Sequence, residues 1–175
     1  EEHPIRPLSP YGVSKYVAEK YIELYGTLYG LEYAILRLAN VYGPRQDPYG
    51  EAGVVAIFAR RMAVGERVSI FGNGDQERDF VYVEDVAQAT ISALERGTGQ
   101  SFNIGCGLGT SVNRLFALLR DLTGYRREPT YTDSRPGDVY KVYLDAYKAR
   151  RELGWEPRTT LDQGLRRTVA SLSGP

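Results

Sequence analysis

The stretch SPYGVSKYVAEKY, Ser9 to Tyr21, places a tyrosine four residues before a lysine twice, at Tyr11/Lys15 and at Tyr16/Lys20. On a helix, residues four apart share a face, so each phenol can lie beside an ammonium. Tyrosine acts as a general base through its phenolate, and a neighbouring positive charge favours that form. The two pairs are offset by five positions, about 140° around a 3.6-residue helix, and so point to nearly opposite sides. At most one of them faces a cleft. Tyr11 follows a rigid Ser-Pro entry and has Gly12 and Ser14 beside it, small residues that leave room for a ligand. Without further context, the solvent-facing side of an ordinary helix is the reading for Tyr16/Lys20 and, less strongly, for Tyr11/Lys15 as well.

The elements that must carry these residues are written in local signals. Ser9 as N-cap and Pro10 at the first helical position start a helix that runs to Tyr29, where Gly30 supplies the stop. Val13, Val17, Leu24 and Leu28 form its apolar stripe. EYAILRL (32–38) reads as a buried strand, followed by a loop over 39–53 rich in Gly and Pro. Next come a helix from Val54 ending at Gly65, a strand RVSIF (67–71), and a helix over 84–97 with acids in its first turn. The second half repeats this grammar: a strand SFNIG (101–105), a helix capped by Ser111, a strand PTYTD (129–133), and a short helix capped by Asp145. A last helix opens at Thr160 with Gln163 at capping-box spacing. Strands alternating with helices predict an α/β chain with parallel sheet.

Composition narrows the partners. The 175 residues, 42% of them hydrophobic, suffice for one sizeable core, as one domain or as two lobes of a larger one. Twenty-two basic residues balance twenty-two acidic ones, so nothing pulls the chain in bulk toward nucleic acid or anionic lipid. A small-molecule partner is expected, with neither nucleic acid nor membrane. The single cysteine, Cys106, excludes an internal disulfide, and no apolar run approaches the roughly 20 residues of a membrane span, which predicts a cytoplasmic protein. The first residue is Glu1 rather than Met and the chain opens in mid-loop, which predicts a fragment. His3 and Cys106 have no partner at metal or nucleophile spacing, and no metal is expected.

PYGVSK at the head of the first helix is followed in order by RLANVYGPR, FGNGDQERDFVYVEDVA, NIGCG and RPGD. This series resembles the extended short-chain dehydrogenase/reductase family, specifically its NAD-dependent nucleotide-sugar epimerases and dehydratases, from Pro10 to about Pro157. The resemblance implies that Tyr11 and Lys15 are the catalytic pair and that Lys15 also binds the nicotinamide ribose of NAD. It implies further that Asn40 meets the substrate's diphosphate and that backbone groups at Ser69 and Phe71 read the nucleotide base. Arg78 and Arg135 would hold the diphosphate, and Asp138 the ribose hydroxyls, whereas Asp85 serves the first turn of its helix. The implied architecture is the C-terminal part of a Rossmann-type parallel sheet plus a smaller α/β substrate-binding lobe. Residues 1–50 would carry the catalytic helix and a late sheet strand. Residues 51–175 would form mostly the substrate lobe, with a returning strand and the C-terminal helices.

Three departures from the pattern matter. The Gly-rich strand-turn that binds the NAD pyrophosphate precedes this region in the family, so the isolated chain is expected not to turn over and to expose a sheet edge and an apolar face. FNIGCGLGTS imitates that fingerprint, with Asp133 at a later strand end, but Thr110 stands where the third glycine belongs. Many hexose 4-epimerases carry Asn and Tyr where this chain has Val54 and Val142. The smaller Val142 would admit a 2-acetamido group. The resemblance thus implies the C-terminal portion of a UDP-glucose 4-epimerase-type enzyme, homodimeric at full length, with a 4,6-dehydratase or a non-catalytic nucleotide-sugar binding module as alternatives.

Overall fold

The computed structural model describes residues 1–49, 53–134, 137 and 139–172. Helix α1 (Pro10–Tyr29) begins and ends where the capping residues place it: the Ser9 hydroxyl accepts from the Gly12 N–H, and Gly30 adopts φ 68°. No residue of α1 is buried, and Val13, Val17, Leu24 and Leu28 all lie exposed. The helix is tethered by charge. Arg37 on strand β1 (Ala34–Leu38) grips the Glu19 carboxylate with Nε at 3.0 Å and Nη2 at 2.7 Å.

Strand β1 pairs in parallel with β5 (Gln100–Ile104). After Ala39, whose N–H donates to the Ile104 carbonyl at 2.9 Å, the chain continues as β2 (Asn40–Tyr42) and changes partner, running parallel to β4 (Glu77–Tyr82). Strand β4 also carries β6 (Gly109–Ser111) antiparallel and β8 (Lys141–Val142) parallel. Strands β3 (Ser69–Phe71) and β7 (Thr130–Thr132) form a separate parallel pair. Around them lie α2 (Val54–Ala63), α3 (Val83–Arg96), α4 (Val112–Thr123), a π-helical turn (Ala149–Leu153) and α5 (Leu161–Ser171), which starts with a complete Thr160/Gln163 capping box. The α/β architecture with mostly parallel pairing is the one expected. Among the described residues no helix is long and apolar enough to cross a membrane.

Two expectations are corrected. The segment 39–53 is not loop throughout, because β2 begins at Asn40. Strand β4, which sequence patterning does not reveal, is the hub of the sheet. Its residues Phe80 and Tyr82 enter one core, with Tyr42, Phe58, Leu115, Phe116 and Leu165, while Val81 enters a second core with Phe102, Ile104, Leu153 and Trp155. Successive side chains of a strand point to opposite faces. Both faces of the second half of β4, Phe80 to Tyr82, are therefore walled by apolar cores, while its first half is Glu77, Arg78 and Asp79, so the strand shows neither an alternation nor an apolar run long enough to mark it.

The first core is closed by a near-contact between β2 and α5. A Cβ at Gly164 would overlap the Tyr42 hydroxyl, which donates to the Leu161 carbonyl at 3.4 Å. Alanine at 164 gains about 1 kcal/mol of helix propensity but overpacks a rigid, buried ring, a cost of about 1–3 kcal/mol. Gly164→Ala is therefore expected to lower stability by a net of up to about 2 kcal/mol in a urea melt.

Candidate active site

Five of the residues singled out in the sequence meet at one place. Asn40 opens β2, Val54 opens α2, Ser69 and Phe71 lie on β3 and Arg78 on β4, and all five line a cleft of about 480 Å³. That volume suits a small organic ligand. The peptide groups on β3 alternate between its two edges. Val68 accepts from Thr130 and Gly72 donates to Thr132, so the even-numbered residues bond to β7 and the peptides of Ser69 and Phe71 turn to the other edge. Arg78 is held by donation from Nη1 to the Glu77 carbonyl at 2.9 Å. Its register partner across β4–β8 is Val142, which places the second specificity candidate beside the arginine. The cleft wall also includes Arg61 and Gln76, neither of which sequence reasoning singled out. Both look like ordinary surface residues in the sequence; Arg61 stays exposed at the rim, whereas Gln76 is buried by the turn between β3 and β4. The only signal was their nearness to VVAIF and ERDF.

Tyr11 and Lys15 are not part of this wall. Tyr11 is 66% exposed, with the Lys15 ammonium 5.2 Å from its ring centre. The second pair has the same geometry, Lys20 to Tyr16 at 5.4 Å, so spacing alone does not separate them. Their surroundings do. Lys20 forms a 2.6 Å ion pair with Glu23, a hydrogen bond that pushes the lysine pKa up and gives its ammonium a second partner besides Tyr16. Lys15 has no carboxylate partner among the described residues. The entry to α1 lies near the segment after β7: a Cβ at Gly137 would stand 3.4 Å from the Leu8 carbonyl, and Ser134 is in contact range of Gly72. Arg135 and Asp138 lie outside the described residues.

The Gly-rich turn after β5 does hold an anion, but one of the chain's own. The Cys106 and Gly107 N–H groups donate to the Asp79 carboxylate at 2.9 and 3.0 Å, and the Leu144 N–H adds a third bond at 3.1 Å. Asp79 is wholly buried, and a Cβ at Gly105 would collide with it. The segment that imitates a dinucleotide-phosphate cradle is thus filled by a structural carboxylate. Asp85 is in the first turn of α3, yet its carboxylate accepts from the Thr159 N–H at 3.0 Å, tying the helix to the C-terminal segment. Burial pushes the Cys106 thiol up to about 12, so it stays a neutral, inert group at physiological pH. Burial likewise raises the Tyr42 phenol well above its usual range, which excludes it as a base near Asn40.

Residues 1–105 match the NAD dependent epimerase/dehydratase family. A putative UDP-glucose 4-epimerase of Methanocaldococcus jannaschii is 54% identical over 169 residues, covering 97% of this chain and 55% of the relative. The UDP-glucose 4-epimerase of Mycolicibacterium smegmatis is 43% identical over 170 residues, covering 97% of this chain and 54% of its own length. The crystal structure of a Thermotoga maritima UDP-glucose 4-epimerase with UDP-glucose superposes with a TM-score of 0.93 at 56% identity, covering 95% of this chain and 54% of that one. The chain spans about half the length of the curated relatives it matches.

Proposed function

Because the chain belongs to the NAD dependent epimerase/dehydratase family, we propose that it is the C-terminal portion of a nucleotide-sugar 4-epimerase that interconverts UDP-glucose and UDP-galactose. One observation carries this reading: Asn40, Val54, Ser69, Phe71 and Arg78, drawn from four separate elements, line a single cleft. In it the Ser69 and Phe71 peptides, on the edge of β3 turned away from β7, take the nucleotide base. Arg78 takes the diphosphate, aided by Arg135 and by Arg61 in the same wall, since guanidinium forks match phosphate oxygens. Asn40 meets the same diphosphate and Asp138 the ribose. Val54 and Val142 border the hexose, and the small side chain beside Arg78 supports acceptance of N-acetylated sugars as well.

The chain fits NAD in part. Tyr11 and Lys15 stand open on α1, where they would meet the nicotinamide ribose, whereas the turn at Gly105–Gly107 is taken by Asp79. When bound, NAD supplies the hydride acceptor and donor at the sugar carbon. Tyr11 removes the proton from the sugar 4-hydroxyl and returns it, and Lys15 holds its ammonium 5.2 Å from the ring centre of that phenol. We propose that turnover requires the N-terminal half. Residues 1–50 then bring the catalytic helix and a sheet strand, and residues 51–175 most of the substrate lobe. The bare apolar face of α1 supports a homodimer in the full-length protein, which we place in the cytoplasm on its lone, inert cysteine.

Calorimetric titration of the full-length protein with UDP tests the assignment. Arg78→Ala is expected to weaken binding by about 10- to 100-fold, the worth of hydrogen bonds to a charged group. Unchanged affinity would put the nucleotide elsewhere. Product analysis separates the reaction from a 4,6-dehydration: epimerisation conserves the mass of the sugar, whereas dehydration removes a water.

A further inference from the structure

Gln76 does more than fill the wall of the cleft. It is 9% exposed, and its Nε2 donates to the Phe71 carbonyl at 2.7 Å, across the turn that joins β3 to β4. Its own carbonyl accepts from the Val112 N–H at 3.2 Å, in the first turn of α4. The rest of the turn is held from the same helix. The Asn113 N–H donates to the Gly74 carbonyl at 2.9 Å, and its side chain donates to the Asn73 carbonyl at 3.0 Å and to Asp75 Oδ1 at 3.1 Å. Gln76 and Phe71 are also the two residues shared by the 480 Å³ cleft and a neighbouring one of about 410 Å³ lined by Gly72, Asn73, Ser134 and Tyr140. A buried glutamine is costly, because it loses both rotamer freedom and hydration. An apolar side chain of similar length would fill the volume without that cost. What the amide adds is a donor aimed at one particular peptide.

That peptide is one of the two that β3 turns away from β7, toward the cleft. We propose that Gln76 is a positioning residue for base recognition: by holding the Phe71 carbonyl it fixes the order of N–H and C=O groups on the β3 edge, and so sets the choice between pyrimidine bases. The inference rests on the nucleotide-sugar reading of the cleft. Uracil and cytosine share shape, ribose and diphosphate and differ in donor and acceptor order along one edge. A rigid peptide edge favours one of them, and a loosened edge loses the preference.

The test compares the affinities of the full-length protein for UDP and CDP. Wild type is expected to prefer UDP. Gln76→Met, of similar length but without the donor, is expected to reduce the UDP-to-CDP affinity ratio by about five- to tenfold, the worth of one hydrogen bond. Gln76→Glu, which sets a carboxylate oxygen against the Phe71 carbonyl, is expected to move the ratio in the same direction and stands in if the methionine variant does not fold. Loss of affinity for both nucleotides by the same factor would make Gln76 merely structural and overturn the inference, as would a ratio unchanged in the variants or a wild type without preference. A wild type that binds neither nucleotide would instead refute the nucleotide-sugar reading itself, before any variant is compared.

Discussion

Replacing Asp79 by alanine is expected to destabilise the fold by about 3–5 kcal/mol. The side chain is wholly buried and accepts three backbone hydrogen bonds, from Cys106, Gly107 and Leu144. Alanine would leave three N–H donors without partners and a void between β4, the turn after β5 and the segment leading to the π-helical turn. Such a loss is a large fraction of the 5–15 kcal/mol that holds a typical domain together. Asparagine is the informative control. Its oxygen can keep the two bonds now made to Oδ2, while its amide group faces the Cys106 N–H, so a smaller loss of about 1–3 kcal/mol is expected. Urea melts of both variants check the order. If alanine costs no more than asparagine, the turn does not depend on its internal anion. Because Asp79 directly follows Arg78 on β4, the alanine variant is also expected to bind UDP more weakly in whatever fraction remains folded.

In the full-length enzyme, Tyr11→Phe is expected to lower kcat by about 10²- to 10⁴-fold, the usual worth of a positioned general base. KM for the nucleotide-sugar should change little, because Tyr11 lies outside the cleft wall proposed to take the nucleotide. Stability should not change, since the ring is largely exposed. Tyr16→Phe, made on the pair whose lysine is bound to Glu23, is expected to stay within a few-fold of wild type. Steady-state kinetics of the two variants side by side decide the matter. Comparable losses in both, or activity retained in Tyr11→Phe, would show that the proton leaves by another group.

The amino-acid sequence determined by itself whatever depends on a few neighbouring residues. The limits of α1 follow from Ser9, Pro10 and Gly30, those of α4 from Ser111 and Gly124, and the start of α5 from Thr160 and Gln163, because capping is a contest between a side chain and backbone groups within one turn. The order of family-like segments also singled out residues far apart in the chain, and five of them line one cleft. Strands β6 and β8 were beyond reach, since two or three residues carry no period and form only against β4. Strand β4 itself was hidden because the charged Glu77, Arg78 and Asp79 precede its three apolar residues, so it carries no period. The sequence also offered two tyrosine–lysine pairs at the same spacing and an imitation of a phosphate cradle. Glu23 on Lys20 distinguishes the first, and Asp79, 27 residues before Cys106, fills the second. Glu23 lies three residues from Lys20 on the same helix and was within reach of the sequence, whereas the Asp79 bonds and the place of Gln76 in the cleft wall arise from contacts between distant segments. Local pattern cannot encode them, because which side chain satisfies a buried donor is settled only once the strands have paired.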